Sequence, residues 1–277
     1  MDKLCYFNGE IMALKDAKLS LNDLGVLRGY GIFDYLRTYN GKPFLLDQHL
    51  DRLYNSLDSM GLVIPDTRSD IKSAINELMQ RSPLEDAGFR LVVTGGESPD
   101  GFSFTKPHLF ILIDELPVYD DSVWSKGVKL MIHEYLRDTS EIKSINYIEA
   151  IRMQPERIRK NAFDILYIYN NKVLECTRSN FFLFHGDTLV TPKNNVLIGR
   201  TRNLVLELAK SDFKIEERDI ERDEILSADE AFLTGTTKKV MPVNYIEDNK
   251  ISNGLAGKNT LRLKALFDQY IIENYSS

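Results

Sequence analysis

Two Asn-Gly pairs, Asn8-Gly9 and Asn40-Gly41, constrain the first part of this chain more than any other feature. Each lies between short apolar runs: Leu4–Phe7 and Glu10–Met12 flank the first, Gly31–Tyr39 and Pro43–Leu46 the second. Asn-Gly supplies the positive φ of a type I′ turn, whose twist matches that of the strands it joins. Two β-hairpins are therefore expected before Asp47, with a loop over Leu19–Arg28 between them.

The pattern then changes period. Asp47 can cap a helix carrying Leu50, Leu53, Tyr54, Leu57 and Met60 on one face, with Gly61 as its stop. Ser69–Arg81 repeats that spacing through Ile71, Ala74, Ile75, Leu78 and Met79. Phe89–Thr94 and His108–Ile113 read as strands around the loop GGESPDGFSFTKP. The polar, proline-bearing stretch Leu116–Ser122 reads as a linker, dividing a domain over 1–115 from one over 123–277. Beyond it the spacing predicts a strand over Val128–His133 and a helix over about Ser144–Lys160, with Pro155 as a kink point. Three strands follow (Ala162–Tyr169, Lys172–Glu175, Asn180–Phe184), then a helix over Arg202–Lys210 and a helical turn at Asp223–Leu226. A strand over Glu230–Leu233 and a last helix over Thr260–Glu273 complete the reading. Strands outnumber a simple βαβ alternation, so the expected class is α+β in two domains.

Composition excludes several roles. The net charge of −6 argues against a sequence-independent nucleic-acid binder, which needs a basic surface. No apolar run reaches the length that spans a bilayer, and MDKLCYFNGE lacks a signal-peptide pattern, so a cytoplasmic protein with no membrane association is expected. Cys5 and Cys176 form no framework, and the four histidines show no metal-ligand spacing. NGLAGKNT lacks the first glycine of a phosphate loop, RGYGIFDY is no dinucleotide fingerprint, and no GxSxG elbow exists. The glycine-rich stretch Thr94–Gly101 fits a flexible surface loop as well as a substrate lid.

Arginines and small hydroxyls at segment ends remain. Arg28 lies beside glycine, Arg37 and Arg90 lie on strands, Arg52 on a helix, and Arg178 between Thr177 and Ser179. Gly199-Arg200-Thr201 opens a helix, where free N–H groups and the dipole favour a phosphate. Thr234-Gly235-Thr236-Thr237 is a second donor-rich turn. In an acidic protein such groups taken together suggest one focused anion site, whereas any one arginine alone reads as a surface ion pair.

At this point five blocks carry a resemblance. GIFDYLRTYNG with HLDRL, IKSINY, VLECTRSNFF, TPKNNVLIGRTRN and AFLTGTTKKVMPV resemble, in order and over nearly the whole chain, the class IV aminotransferases. These fold-type IV pyridoxal-phosphate enzymes include branched-chain and D-amino-acid aminotransferases and aminodeoxychorismate lyase. The resemblance implies a smaller N-terminal α/β domain, a larger C-terminal domain with a barrel-like β core, and a homodimer. It implies that Lys143 forms the Schiff base with pyridoxal 5′-phosphate and carries the 1,3-proton shift, a role that needs a partly neutral amine. Glu175 would pair with the pyridine nitrogen, keeping the ring an electron sink. Tyr147, one helical turn after Lys143, would hydrogen-bond the phenolic oxygen. Arg52, Arg200, Thr201, Thr236 and Thr237 would hold the phosphate, and Ser179 and Asn180 would support the cofactor strand.

The substrate-binding groups depart from the common patterns. The Thr-Arg-Gly-x-His of usual D-amino-acid enzymes is here Thr94-Gly95-Gly96-Glu97-Ser98. The V-F-E-G-I-R of branched-chain enzymes is Ile32-Phe33-Asp34-Tyr35-Leu36-Arg37, and their E-G-x-x-x-N is Glu175-Cys176-Thr177-Arg178-Ser179-Asn180. Arg28, Arg90 and Arg178, with Phe33 in the pocket, instead resemble a less usual group of D-amino-acid transaminases, Arg28 reaching over from the partner subunit. Guanidinium groups bind carboxylates bidentately, which suits D-glutamate or D-alanine with 2-oxoglutarate or pyruvate. A branched-chain L-aminotransferase and a lyase of the aminodeoxychorismate type stay open, as does a structural ion pair for Arg178.

Overall fold

The first hairpin forms around Asn8 and Gly9, whose φ angles are 47° and 100°. In the computed structural model, which describes residues 3–276, β1 (Leu4–Phe7) and β2 (Glu10–Ala13) pair antiparallel across this turn. The residues group into two compact units. One holds the chain up to Pro117, the segment Ile142–Tyr147 and the end from Tyr275; the other holds Val118–Glu141 and Ile148–Asn274.

In the first unit, α1 (Leu24–Arg28) leads into β3 (Gly31–Tyr39), which turns at Asn40-Gly41 into β4 (Lys42–Pro43). Helices α2 (Leu46–Ser59) and α3 (Arg68–Gln80) follow, then β5 (Gly88–Thr94) and β6 (His108–Asp114). The strands form a six-stranded sheet in the order β2-β1-β6-β5-β3-β4, antiparallel throughout. Leu50, Leu53 and Leu57 of α2 and Ile71, Ile75 and Leu78 of α3 pack with Leu36, Phe89, Leu91 and Ile111 of the sheet. Each such side chain contributes roughly 1.5–3 kcal/mol on full burial.

The second unit begins with α4 (Ser122–Lys126), β7 (Val128–Glu134), α5 (Ile148–Arg152) and α6 (Gln154–Arg159). Next come β8 (Asp164–Tyr169), β9 (Lys172–Cys176), β10 (Asn180–His185), β11 (Thr188–Thr191) and α7 (Arg200–Ala209). The chain continues through β12 (Lys214–Glu217), β13 (Ile220–Glu221), α8 (Glu224–Ser227) and β14 (Glu230–Gly235). It ends with β15 (Lys239–Ile246), β16 (Asn249–Lys250) and α9 (Lys258–Tyr275). A ten-stranded, curled half-barrel sheet runs β12-β11-β10-β14-β15-β7-β8-β9-β13, with β16 paired to β15. Strands such as DILYIY and NFFLFH are buried along almost their whole length, as expected where both faces of a sheet are covered.

Three expectations fail for identifiable reasons. The helix over Ser144–Lys160 is broken: Lys143–Tyr147 lies outside any helix, with Ser144 bridged to Ile32, and α5 and α6 are separate, with Pro155 in the first turn of α6. Proline lacks an N–H and clashes with the carbonyl four residues back, so it starts a helix more easily than it continues one. Tyr147 therefore does not lie one helical turn beyond Lys143. Arg28 ends α1 rather than lying in a loop, with Gly29 in the left-handed conformation after it. Leu45, not Asp47, is the residue before α2; Asp47 lies in its first turn. The strand β15 escapes the sequence reading because Pro242 argues against a central strand. Pro242 pairs with Phe232 of β14, and pairing with β7 starts only at Val243, so the proline lies where β15 has one neighbour rather than two.

Candidate active site

In the first unit Lys143 lies on a segment stitched to β3. The Phe33 N–H donates to the Lys143 carbonyl at 2.8 Å and the Ile145 N–H to the Gly31 carbonyl at 3.0 Å, so Ser144 pairs with Ile32. Strand alternation puts Phe33 and Tyr35 on one face of β3 and Asp34 on the other. The Lys143 Nζ lies 4.5 Å from the Phe33 ring centroid, and Tyr147 meets the same ring edge-on at 5.6 Å. The β3–β5 register pairs Phe33 with Val92 and Tyr35 with Arg90. Arg90 thus shares the face of Phe33, its guanidinium 5.7 Å from the Tyr35 ring and 3.0 Å from Asp114.

Arg52 lies on the opposite face of β3. Its Nε and Nη2 each donate to Asp34 at 2.8 Å, and His49 Nδ1 lies 2.7 Å from the same carboxylate. Burial alone would push the Asp34 carboxyl up, but the charges and hydrogen bonds of Arg52 and His49 outweigh it and hold the group well below the usual carboxylate range. Arg52 Nη1 takes no part in these contacts. Arg28, exposed at the end of α1, stacks over Phe102 at 5.0 Å. The loop after β5 is anchored to α1: Gly96 accepts from the Leu24 N–H, Ser98 N–H donates to Asn22, and Thr94 Oγ1 donates to Asp23.

In the second unit Glu175 lies on the buried part of β9 with both carboxylate oxygens engaged. Arg137 donates to Oε1 from Nη2 at 2.6 Å and from Nε at 3.0 Å, and is itself tied to the Ser140 carbonyl. The Leu197 N–H donates to Oε2 at 3.1 Å, with Asn180 Nδ2 at 3.4 Å. Asn180 also donates to the Leu197 carbonyl at 2.7 Å, fastening β10 to the approach to α7. A Cβ on Gly199 would lie 2.1 Å from Asn180 Oδ1, so any larger residue there must displace that amide. No side chain caps the N-terminus of α7 at Gly199, and the first-turn N–H groups of Arg200 and Thr201, with the helix dipole, favour an anion there. Thr234 faces Asn180 across the β10–β14 pair, and its buried Oγ1 has no partner among the described residues. Thr236 and Thr237 form the turn after β14, the Thr237 hydroxyl lying 3.2 Å from that of Tyr119. Ser179 accepts from Lys238 Nζ at 2.5 Å. Arg178 is exposed at the tip of the turn between β9 and β10, and no ion pair holds it among the described residues.

Sequence reasoning missed four members of these arrangements. Arg137, Lys238, Asp34 and His49 carry no local signal, because their partners lie between 15 and 74 residues away in the chain. Among the described residues no group of three or more His, Cys, Asp or Glu could hold a metal ion, and no helix is long and apolar enough to cross a membrane.

The family model described as amino-transferase class IV matches residues 31–246. A Methanocaldococcus jannaschii protein provisionally named a branched-chain-amino-acid aminotransferase is 32% identical over 95% of this chain and 94% of its own. A D-alanine aminotransferase of Bacillus licheniformis is 29% identical over 96% of each chain. The T.th. branched-chain amino acid aminotransferase, solved with pyridoxamine 5′-phosphate, superposes with a TM-score of 0.91 at 24% identity, over 98% of this chain and 94% of that one.

Proposed function

Because the chain belongs to the class IV aminotransferase family and so works with pyridoxal phosphate, we propose that it transfers amino groups between D-amino acids and 2-oxo acids. D-glutamate with 2-oxoglutarate and D-alanine with pyruvate are the expected pairs. The observation that carries this reading is the row Lys143, Phe33, Tyr35 and Arg90 on one sheet face, an amine and a guanidinium joined by aromatic surface.

The residues fit the cofactor. A buried carboxylate, an uncapped helix N-terminus and an unpartnered hydroxyl match a ring nitrogen and a phosphate. When bound, pyridoxal phosphate supplies an aldehyde for the amine and a protonated pyridine that takes up electrons released at Cα. Glu175 receives the ring N–H; Arg137 and the Leu197 amide hold its carboxylate in place. Lys143 would carry the covalent attachment to that aldehyde and, once freed by substrate, its Nζ would take the proton from the substrate Cα and deliver it to the aldehyde-derived carbon on the other side of the nitrogen. Its main-chain bonds to β3 limit the arc over which Nζ moves. The N–H groups of Arg200 and Thr201, the Thr236 hydroxyl and Arg52 Nη1 hold the phosphate, with Asn180 and Ser179 supporting the strand that carries Glu175. Tyr147, beside Phe33, hydrogen-bonds the phenolic oxygen.

Arg90 and Arg178 take substrate carboxylates, and Arg28 serves the site of a second copy of the chain. A second reading, branched-chain L-transamination, is favoured by the aromatic surface of Phe33, Tyr35 and Tyr147, which would receive an aliphatic side chain. The half-reactions separate the two. On mixing the holoenzyme with D-glutamate, D-alanine or L-leucine, the D-amino acids should bleach the cofactor absorbance band. Bleaching by L-leucine alone would replace the first reading with the second. Borohydride reduction followed by peptide mass spectrometry should place the adduct on Lys143.

A further inference from the structure

The second unit buries one lysine that the chemistry above does not use. Lys238 is 4% exposed, and its Nζ donates to Asp164 Oδ2 at 2.6 Å and to Ser179 Oγ at 2.5 Å, with the Phe163 ring 5.4 Å away. Asp164 is equally buried and turns its other oxygen to Thr177, whose Oγ1 donates to Oδ1 at 2.5 Å. Thr177 and Ser179 are the immediate neighbours of Arg178. The backbone adds to the grip: Thr177 N–H donates to the Ile165 carbonyl, and Cys176 N–H to that of Ser179. Lys238 also ends the threonine turn, where a Cβ on Gly235 would meet the Arg178 carbonyl at 3.3 Å and Ser179 Oγ at 3.6 Å.

A buried ion pair is a poor way to gain stability, since desolvating both charges offsets their attraction and an apolar pair of similar volume often does as well. What it provides is direction. Here one cation and one carboxylate fix the two hydroxyls on either side of an exposed arginine. We infer that Lys238 is a positioning residue: with Asp164 it clamps the Thr177-Arg178-Ser179 turn, fixes where Arg178 meets a substrate carboxylate, and ties that turn to the Thr236 turn. This rests on the substrate role of Arg178 in the reading above.

The test uses holoenzyme variants Lys238→Met, Lys238→Arg, Arg178→Ala and the double variant Lys238→Met/Arg178→Ala. A misplaced carboxylate clamp costs roughly tenfold to a hundredfold, and the loss should fall on KM for D-glutamate and 2-oxoglutarate, with kcat little changed. Lys238→Arg should restore most of it. The double variant should be no worse than Arg178→Ala alone, because residues acting through one contact are not additive. Wild-type KM in a folded, cofactor-bearing Lys238→Met protein, or penalties that multiply in the double variant, would overturn the inference. Should Lys238→Met fail to fold, Lys238→Met/Asp164→Leu removes both charges together and is held to the same KM criterion. If Arg178→Ala leaves KM unchanged, the substrate reading of Arg178 fails instead. Hydrogen exchange of the cofactor-free protein over residues 176–180 then decides the clamp: faster exchange in Lys238→Met supports it, and unchanged exchange rejects it.

Discussion

An arginine that binds a substrate carboxylate cannot also be locked in a strong ion pair, and Arg90 meets that condition. Its bond to Asp114 joins side chains that are 49% and 33% exposed, where such pairs are worth about 0–1 kcal/mol. A bidentate substrate carboxylate can replace that partner at little cost. Arg90→Ala should therefore raise KM for D-glutamate at least about tenfold, whereas Asp114→Ala should leave both KM and thermal stability close to wild type. Steady-state kinetics on the two variants decide the matter; an unchanged KM in Arg90→Ala removes Arg90 from the site. Arg52 shows the opposite electrostatic case. Its pairing with a fully buried Asp34 fixes it firmly, and only the fold reveals that partner. Lys143, Glu175, Tyr147 and Arg52 could be singled out only through the five blocks that resemble the family, because no local pattern distinguishes them from surface charges and core residues. Arg137 was not, because nothing in LRDTSEIK points towards a glutamate 38 residues on.

At the scale of elements, the junction between β10 and α7 concentrates the contacts that hold Glu175. Asn180, Leu197 and Gly199 meet there within one hydrogen-bonded knot. Gly199 has φ −68°, so alanine is acceptable to its backbone; the obstacle is the Asn180 side chain 2.1 Å from the new Cβ. Gly199→Ala should push the Asn180 amide off Leu197, loosen Glu175 and weaken cofactor binding, by about tenfold if one charge-assisted contact worth 1.5–3 kcal/mol is partly lost. Titration of the cofactor-free variant with pyridoxal phosphate measures this, and wild-type affinity would show that the knot does not govern the site. The turns at Asn8-Gly9 and Asn40-Gly41 were readable because a type I′ turn is decided by two residues; the second return strand, expected over Pro43–Leu46, is only Lys42–Pro43 because α2 starts at Leu46. The helix expected over Ser144–Lys160 was not formed as read, because Lys143–Ile145 found hydrogen bonds on the edge of β3 that no local pattern announces.

For the molecule as a whole, the buried carboxylates set the response to acid. Asp34 and Asp164 are both held below their ordinary range: burial pushes each up, but Arg52 with His49, and Lys238 with Thr177, outweigh it. A carboxyl depressed on folding contributes stability that is complete above its unfolded pKa, near 3.9, and is lost as pH falls through the folded value. The melting temperature should thus hold from pH 7 to about pH 5 and drop steeply below about pH 4. Asp34→Asn should cost about 3–5 kcal/mol at neutral pH by stranding a buried arginine, and should flatten the acid limb. Thermal melts from pH 7 to 3 on both proteins test this; parallel acid limbs would remove Asp34 as a source. By itself the sequence determined the local chemistry of this protein: where chains turn, which helix faces are apolar, and which lysine, carboxylate and arginines match a class IV aminotransferase. Only the tertiary structure decided the partners, Asp34 for Arg52, Arg137 for Glu175 and Asp164 for Lys238. Turn and helix preferences act within a few residues, whereas a buried charge takes whichever counter-charge the packed sheets bring within hydrogen-bonding distance.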